Sequence, residues 1–322
     1  MSKITPDEAA LKKNFLKQRQ SLPLNLKIEM SKRRIREFYE HFDGKVFVSF
    51  SGGKDSTVLL HLVRSEFPDV EAVFVDTGLE YPEIKQFVKS CKNETIIRPE
   101  LQFNKVIENY GYPVISKEVA DTIEQSRKVL ARNDGTTTVR LSKLNGTLKD
   151  KNGNPSIYNC SRWKFLLDAP FKISNKCCEI MKKRPFRKFE KETGKKGFIA
   201  TMASESRLRT NVYLKNGCNS FNSKNPYSMP LGFWTEQDIL EYILIYNIPY
   251  SSIYGEIKKD KKGKLYTTRE QRTGCMFCMF GCHLEKFPNR FERMKESHPK
   301  QYDYCINQLG CDKVLDFIGV KY

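Results

Sequence analysis

Residues 46–63 constrain the fold more than any other stretch of the chain. Val46-Phe47-Val48-Ser49-Phe50 is a short apolar run of β-branched and aromatic residues, suited to a central parallel strand. It runs straight into Ser51-Gly52-Gly53-Lys54-Asp55-Ser56, and then into a helical pattern carrying Val58, Leu59, Leu62 and Val63. Further segments repeat this rhythm. Val70–Asp76 reads as a second strand, Thr95-Ile96-Ile97 as a third and Gly197–Met202 as a later one. Pro82-Glu83-Ile84-Lys85-Gln86-Phe87-Val88 starts a helix with proline near its first turn. Alternating β and α segments with short loops predict a doubly wound, parallel-sheet α/β fold.

Around this domain, expected at 45–250, two further regions are predicted. Residues 1–44 read as a basic helical extension, with Leu11, Phe15 and Leu16, then Ile35, Phe38 and Tyr39, at helical spacing. Residues 251–322 read as a helical, cysteine-bearing C-terminal region. Turn signals at Asn133-Asp134-Gly135, Asn145-Gly146 and Asn152-Gly153-Asn154-Pro155 predict a β-hairpin insertion over about 133–160. Lys258–Lys264 reads as a solvated loop able to add a phosphate contact.

The six residues after the first strand carry the strongest chemical signal. Two glycines let backbone approach an anion closely, and successive N–H groups at a helix N-terminus point towards it. Ser51 and Ser56 add hydroxyl donors and Lys54 neutralises charge, whereas Asp55 suits Mg²⁺ coordination or loop bracing. The Gly-Lys-Ser/Thr ending of a Walker A loop is missing. An ordinary polar turn would not explain the agreement of strand, loop and apolar helix.

At these residues the chain resembles the PP-loop (N-type ATP pyrophosphatase) superfamily, specifically its PAPS reductase-like branch. Phe74-Val75-Asp76-Thr77-Gly78-Leu79-Glu80-Tyr81-Pro82 is similar to the branch's second-strand signature. The resemblance implies that Asp76, Thr77 and Gly78 hold the adenosine part of the nucleotide. Ser204-Glu205-Ser206-Arg207-Leu208-Arg209 is similar to its Glu-Ser-x-x-Arg segment, which implies Arg209 on phosphate. Pro230-Leu231, Trp234–Ile239 and Ile248-Pro249-Tyr250 match its downstream helix, so the resemblance covers roughly 45–255. It implies an adenine nucleotide alpha hydrolase-like fold and an enzyme. Within the branch, reductases of sulfonucleotides usually have a degraded loop and end in Glu-Cys-Gly. This loop is intact, and the tail reads Leu309-Gly310-Cys311-Asp312-Lys313-Val314, where Cys311 leads an apolar helical pattern and is expected to pack.

Ten cysteines are present, several in close pairs. Cys177-Cys178 and Cys275-Met276-Phe277-Cys278 supply four thiolates, enough for a 4Fe–4S cluster. This pattern resembles adenosine phosphosulfate reductases. With Cys282 as a ligand and one of the tandem pair as another, it is more similar to the iron–sulfur ATP pyrophosphatase of DNA phosphorothioation systems. Both ligand sets remain open on sequence. Zinc on Cys275, Cys278, Cys282 and His283 is the alternative metal, although adjacent Cys282 and His283 rarely both reach one ion and Cys177-Cys178 would go unexplained.

The charge narrows the partner. Lys plus Arg number 56 against 38 Asp plus Glu, a formal net charge of +18, and ATP alone would not require that surplus. A polyanion would, through phosphate neutralisation and counterion release. Arg184, Arg187, Lys188, Lys191, Lys195 and Lys196 follow the tandem cysteines and suit a positive rim for such a substrate. No apolar run approaches the length of a membrane span and the first residues lack a signal-peptide core, so a cytoplasmic protein without membrane partners is expected. These readings predict ATP-dependent, pyrophosphate-releasing adenylation of a nucleic-acid oxygen, with Mg²⁺ as a cofactor and a sulfur donor protein or sulfide as the second reactant. The alternatives are a sulfur-assimilation enzyme (a sulfonucleotide reductase or an ATP sulfurylase-like subunit) and a regulatory or defence component that senses ATP without turnover.

Overall fold

The computed structural model describes residues 6–132 and 135–322. In chain order the elements of its first part are α1 (Pro6–Gln20), α2 (Leu24–His41), β1 (Val46–Ser49), α3 (Lys54–Glu66), β2 (Ala72–Val75), α4 (Pro82–Ser90) and β3 (Glu94–Ile97). There follow α5 (Phe103–Tyr110), β4 (Val114–Ile115), α6 (Lys117–Leu130), α7 (Val139–Asn145), α8 (Arg184–Thr193), β5 (Lys196–Ile199) and α9 (Arg207–Asn216). The chain ends with β6 (Asn219–Ser220), β7 (Tyr227–Ser228), α10 (Glu236–Ile245), β8 (Ile257–Lys259), β9 (Leu265–Thr267), β10 (Met279–Phe280), α11 (Arg290–Ser297), α12 (Pro299–Asp303) and α13 (Cys311–Phe317).

Two compact units emerge, and neither is continuous in sequence. The first comprises 1–76, 80–98 and 186–273; the second comprises 77–79, 99–185 and 274–322. The expected boundaries at 44/45 and 250/251 fall inside the first unit, because helix α2 and the segment after α10 are both built into its core.

In the first unit the sheet order is β3-β2-β1-β5-β7-β6. All neighbours are parallel except β6, which pairs antiparallel with β7. This is the α/β architecture expected from the alternating pattern. Strand β1 is buried on both faces, which is why it reads as an unbroken apolar run. On one face Phe47 and Val73 pack with Phe186 and Phe189 of α8. On the other face Phe198, opposite Val48, meets Phe38 of α2 with ring centroids 5.0 Å apart. Helix α2 is tied down further by Lys27, whose Nζ donates to both Asp238 carboxylate oxygens at 2.8 and 2.7 Å in a buried pair. Asp238 also accepts from Thr235 N–H at 2.7 Å, capping α10. The helical character expected for the N-terminal region is present, but α2 is a structural layer of the first unit.

Lys258–Lys264, expected as a loop, forms a two-stranded hairpin of β8 and β9. Asp260 shapes its turn by accepting from Lys262 and Lys264 N–H groups at 2.8 and 2.9 Å. Lys258, Lys259, Lys261, Lys262 and Lys264 are all exposed on it. The stretch from 251 onwards is thus less helical than expected.

In the second unit, α6 is anchored by Arg127. Its guanidinium donates to the carbonyls of Leu166, Leu167, Ala169 and Phe171 at 2.7–3.0 Å, which fixes the segment leading to the tandem cysteines. The expected hairpin over 133–160 is instead helix α7, followed by one antiparallel bridge between Lys149 and Pro155. Thr138 caps α7 by accepting from Leu141 N–H, and Gly146 ends it with φ +74°. The turn glycines there serve a helix C-terminus as readily as a hairpin. Asn133 and Asp134 lie outside the described residues. No helix among the described residues is long and apolar enough to cross a membrane.

Candidate functional site

The loop after β1 lies where the strand order reverses, since β2 and β5 flank β1 on opposite sides. Crevices at the carboxyl ends of strands beside such a switch point are where open α/β sheets bind ligands. Gly52 takes φ +70°, and a Cβ there would meet the Cγ2 atoms of Ile84 and Val88 at 2.8 Å, so only glycine fits. Gly53 then leads into α3.

The hydroxyls of Ser51 and Ser56, expected as donors to an anion, bond within the loop here. Ser51 and Ser56 Oγ atoms are 3.0 Å apart, and Ser56 Oγ donates to the Gly53 carbonyl at 2.9 Å. The backbone donors make only long contacts. Ser51 N–H reaches Ser56 Oγ at 3.2 Å, Gly53 N–H reaches Ser51 Oγ at 3.4 Å, and Lys54 N–H reaches the Tyr254 hydroxyl at 3.2 Å. Bonds at or beyond the long end of the N–H···O range are weak, so anionic oxygens can replace these hydroxyls at little loss.

Lys54 is buried, and its ammonium is held by the Gln271 carbonyl at 2.8 Å and Glu236 at 3.2 Å, above the Tyr254 ring. Asp55 is the unusual carboxylate. Burial pushes its pKa up, Glu205 and Glu236 add to the rise, and Lys54 and Arg272 oppose it. Its Oδ1 is buried with no hydrogen-bond partner, and the Lys54 ammonium stands 3.9 Å from it. An orphaned carboxylate oxygen beside an anion loop fits Mg²⁺, which takes one or two carboxylates and completes its shell with phosphates and water. Among the described residues no three His, Cys, Asp or Glu side chains form a metal site by themselves. Arg209 is exposed on α9 and pairs with Glu205, one of the carboxylates acting on Asp55. Lys54, Asp55, Arg209 and Ser51–Ser56 therefore all belong to the first unit, together with Asp76.

The residues expected around adenosine are divided. Asp76 closes β2, and its carboxylate pairs with Lys85 at 2.6 Å and Arg98 at 3.6 Å. Thr77 and Gly78 belong to the second unit. Thr77 Oγ1 accepts from Leu79 N–H at 3.2 Å, and Gly78 has φ +77° with open space where a Cβ would stand.

All five cysteines proposed as ligands fall in the second unit. Cys177-Cys178 lead into a π-helical turn over Glu179–Lys183. Cys275–Cys278 is placed by Met276 N–H donating to Leu79 O at 2.8 Å and by parallel pairing of β10 with β4. The Cys177 thiol is pushed up by burial and then by Cys275, Cys178 and Cys278, which puts these four in one electrostatic neighbourhood. Lys182 acts on both Cys177 and Cys278, and Arg290 on Cys278. Four thiols with two cations nearby fit a cluster in donor number and chemistry, although they are not arranged as a closed ligand shell. Cys282 neighbours Cys278, and Arg290 acts on both thiols. The Cys282 thiol donates to Met279 O at 3.1 Å, and burial raises its pKa to about 12. Cys311 is fully buried at the start of α13.

Sequence reasoning missed Tyr254, Gln271, Arg272 and Thr273, which surround the loop. Tyr254 OH and Thr273 Oγ1 are 2.6 Å apart. No spacing marks them, because they reach the loop only through the return of the chain after α10. Glu205 and Glu236 stood within matched motifs but without a role.

Comparison with known proteins adds the family. The model described as phosphoadenosine phosphosulfate reductase domain matches residues 45–137 and 119–311. An uncharacterized protein of Methanocaldococcus jannaschii is 24% identical over 275 residues, which cover 81% of this chain and 42% of that protein. The chain thus spans under half of that relative's length. Adenosine 5'-phosphosulfate reductase of Geobacillus kaustophilus is 24% identical over 217 residues, covering 67% of this chain and 70% of that one. A crystal structure of phosphoadenylyl-sulfate reductase from Candida auris superposes with a TM-score of 0.40 at 14% identity, covering 82% of this chain and 98% of that chain.

Proposed function

The chain belongs to the phosphoadenosine phosphosulfate reductase domain family, and from that membership and the geometry of its loop we propose an ATP-dependent, pyrophosphate-releasing enzyme that adenylates an oxygen of a nucleic acid for replacement by sulfur. The observation carrying this reading is the complete Ser51–Ser56 loop at the sheet's switch point with the orphaned Asp55 oxygen beside it. The β- and γ-phosphates of ATP occupy the loop and replace the hydroxyls on its N–H groups. The substrate oxygen attacks the α-phosphorus, the bond from that phosphorus to the bridging oxygen breaks, and pyrophosphate leaves with the electron pair. The proton of the attacking hydroxyl passes to solvent. A sulfur nucleophile, from a donor protein or sulfide, then displaces AMP. Asp55 would hold Mg²⁺, which would supply charge neutralisation to the phosphates. Lys54, Arg209 and the loop donors hold the phosphates in line.

Cys177, Cys178, Cys275 and Cys278 are the residues that would hold a 4Fe–4S cluster. Such a cluster, when bound, supplies thiophilic iron and an electron reservoir. The hydrogen bond of Cys282 to its own turn favours the tandem pair over Cys282 as a ligand. The nucleic-acid substrate is supported by the formal charge of +18, the lysine hairpin, and exposed Arg187, Lys188 and Lys191 at helical spacing on α8. A second reading, sulfonucleotide reduction, is favoured by the printed activity of the Geobacillus relative. Against it stand the complete loop and the burial of Cys311.

Pyrophosphate release tests the proposal. With ATP, Mg²⁺ and nucleic acid, the protein should release pyrophosphate and AMP, and Asp55→Ala should lower the rate by about 10²–10³-fold. Sulfite release from a sulfonucleotide, with no pyrophosphate from ATP, would establish the reductase reading instead.

A further inference from the structure

The hairpin of β8 and β9 carries cations that its own acids do not neutralise. From Ile257 to Thr267 the chain holds five lysines and one acid. That acid, Asp260, is committed to the turn, where its carboxylate accepts from the Lys262 and Lys264 N–H groups. Lys258 pairs with Glu256 at 2.9 Å. Lys259, Lys261, Lys262 and Lys264 are exposed and form no ion pair among the described residues. The basic residues around α8 differ. Lys195 pairs with Glu71, and Arg187 and Lys196 both act on Glu190, so part of that charge is already met within the unit.

The hairpin is also firmly seated. Leu265 and Thr267 are buried, which turns their face of the ribbon inward and the face with Lys258, Lys264 and Tyr266 outward. Gln237 of α10 accepts from Leu265 N–H at 2.8 Å and donates to Leu265 O at 2.9 Å, as a neighbouring strand would. The preceding residue, Glu236, pairs with Lys54 of the loop. Beyond β9, the Gln271 side chain donates to Thr267 O, and the Gln271 carbonyl accepts from Lys54 Nζ. The ribbon and Lys54 are thus fastened through two shared supports, the first turn of α10 and Gln271.

We propose that the β8–β9 hairpin is the surface that holds the sugar–phosphate backbone of a nucleic acid, meeting its charge and not its bases. Each phosphate that meets an unpaired ammonium releases condensed counterions, and that release drives association. A lysine already paired with a carboxylate contributes less, because the carboxylate cancels part of the attraction. Backbone contacts fix position and carry no sequence information. Because the hairpin and Lys54 share their supports, a strand held here is held on the same frame as the ATP loop. The inference rests on nucleic acid being the substrate, and it names the surface that grips it. Duplex and single strand offer the same phosphodiester chemistry to that surface.

Salt dependence provides the readout. Labelled short DNA and RNA, each as duplex and as single strand, are titrated with the full chain by fluorescence anisotropy between about 50 and 200 mM salt. The combined variant Lys259→Gln, Lys261→Gln, Lys262→Gln and Lys264→Gln should flatten the slope of log affinity against log salt. The expected change is about 3–4 on duplex and about 2–3 on single strand, which tells the two forms apart. Lys261→Gln alone, at the turn, should flatten it by about 1. Lys195→Gln, which removes a paired cation, should change it less than Lys261→Gln does. An unaltered slope in the combined variant and in Lys261→Gln, or an equal change in Lys195→Gln, would overturn the hairpin while leaving a nucleic-acid substrate intact. Displacement of the labelled strand by polyglutamate as effectively as by unlabelled nucleic acid of equal charge would overturn the sugar–phosphate backbone as the partner. Failure of the wild type to bind any of the four probes at the lowest salt would overturn the hairpin and the substrate together.

Discussion

The phosphate loop and the cysteine set are built in opposite ways. The loop is six consecutive residues between a strand and a helix, so its geometry follows from local backbone demands such as the positive φ of Gly52. The candidate cysteines come from two segments, 177–178 and 275–278; the first follows the stretch held by Arg127, and the second runs into β10, which pairs with β4. A contiguous site is legible from a few residues and tolerant of changes elsewhere. A site assembled from distant segments depends on the fold that brings them together, and its membership is decided by packing.

The largest effect expected from this contrast concerns iron. In anaerobically purified protein, Cys275→Ser and Cys278→Ser should each lose essentially all iron, measured by elemental analysis and visible absorbance. Cys282→Ser should keep it, because the Cys282 thiol is committed to Met279 O. Iron loss in Cys282→Ser would move Cys282 into the ligand set, and stoichiometric zinc in colourless protein would replace the cluster while leaving the loop untouched.

A second test strikes the scaffold of the loop rather than the loop. Lys27→Ala leaves the buried Asp238 carboxylate without its cation and should lower unfolding free energy by about 3–5 kcal/mol in denaturant titration. Iron content should be unchanged under conditions where the variant is folded. A change below about 1 kcal/mol would mean that the pair behaves as an exposed one.

The smallest effect concerns Asp55 and pH. Burial raises its pKa, so on acidification the carboxylate takes up its proton at a higher pH than an ordinary aspartate would. Mg²⁺ needs the ionised form. Mg²⁺-dependent ATP binding should therefore weaken as the pH falls, beginning above the ordinary carboxylate range, and Asp55→Asn should bind weakly at every pH. Calorimetric titration across that range checks this, and an identical pH profile in wild type and Asp55→Asn would remove Asp55 from the ion's shell.

Several features were readable in the chain alone. The run Val46–Phe50, the glycine pair and the apolar face of α3 specify a buried strand turning into a helix, because each is a local preference that agrees with the next. Where turn chemistry is shared between structures, the reading failed. Asn145-Gly146 closes a helix rather than a hairpin, and Asp260 and Gly263 turn a hairpin where only a loop was expected. The expected nucleotide set Asp76-Thr77-Gly78 is contiguous in sequence yet divided between two units.

By itself, then, the sequence determined the parallel sheet, the glycine turn from β1 into α3 and the surplus of positive charge, all of which arise from short-range pattern or composition. Tertiary structure alone decided that Tyr254, Gln271 and Thr273 close around the loop and that Lys27 and Asp238 meet in the core. The physical reason is the same in each case. Burial and the pairing of polar groups depend on which remote segment lies opposite, and no local spacing encodes that neighbour.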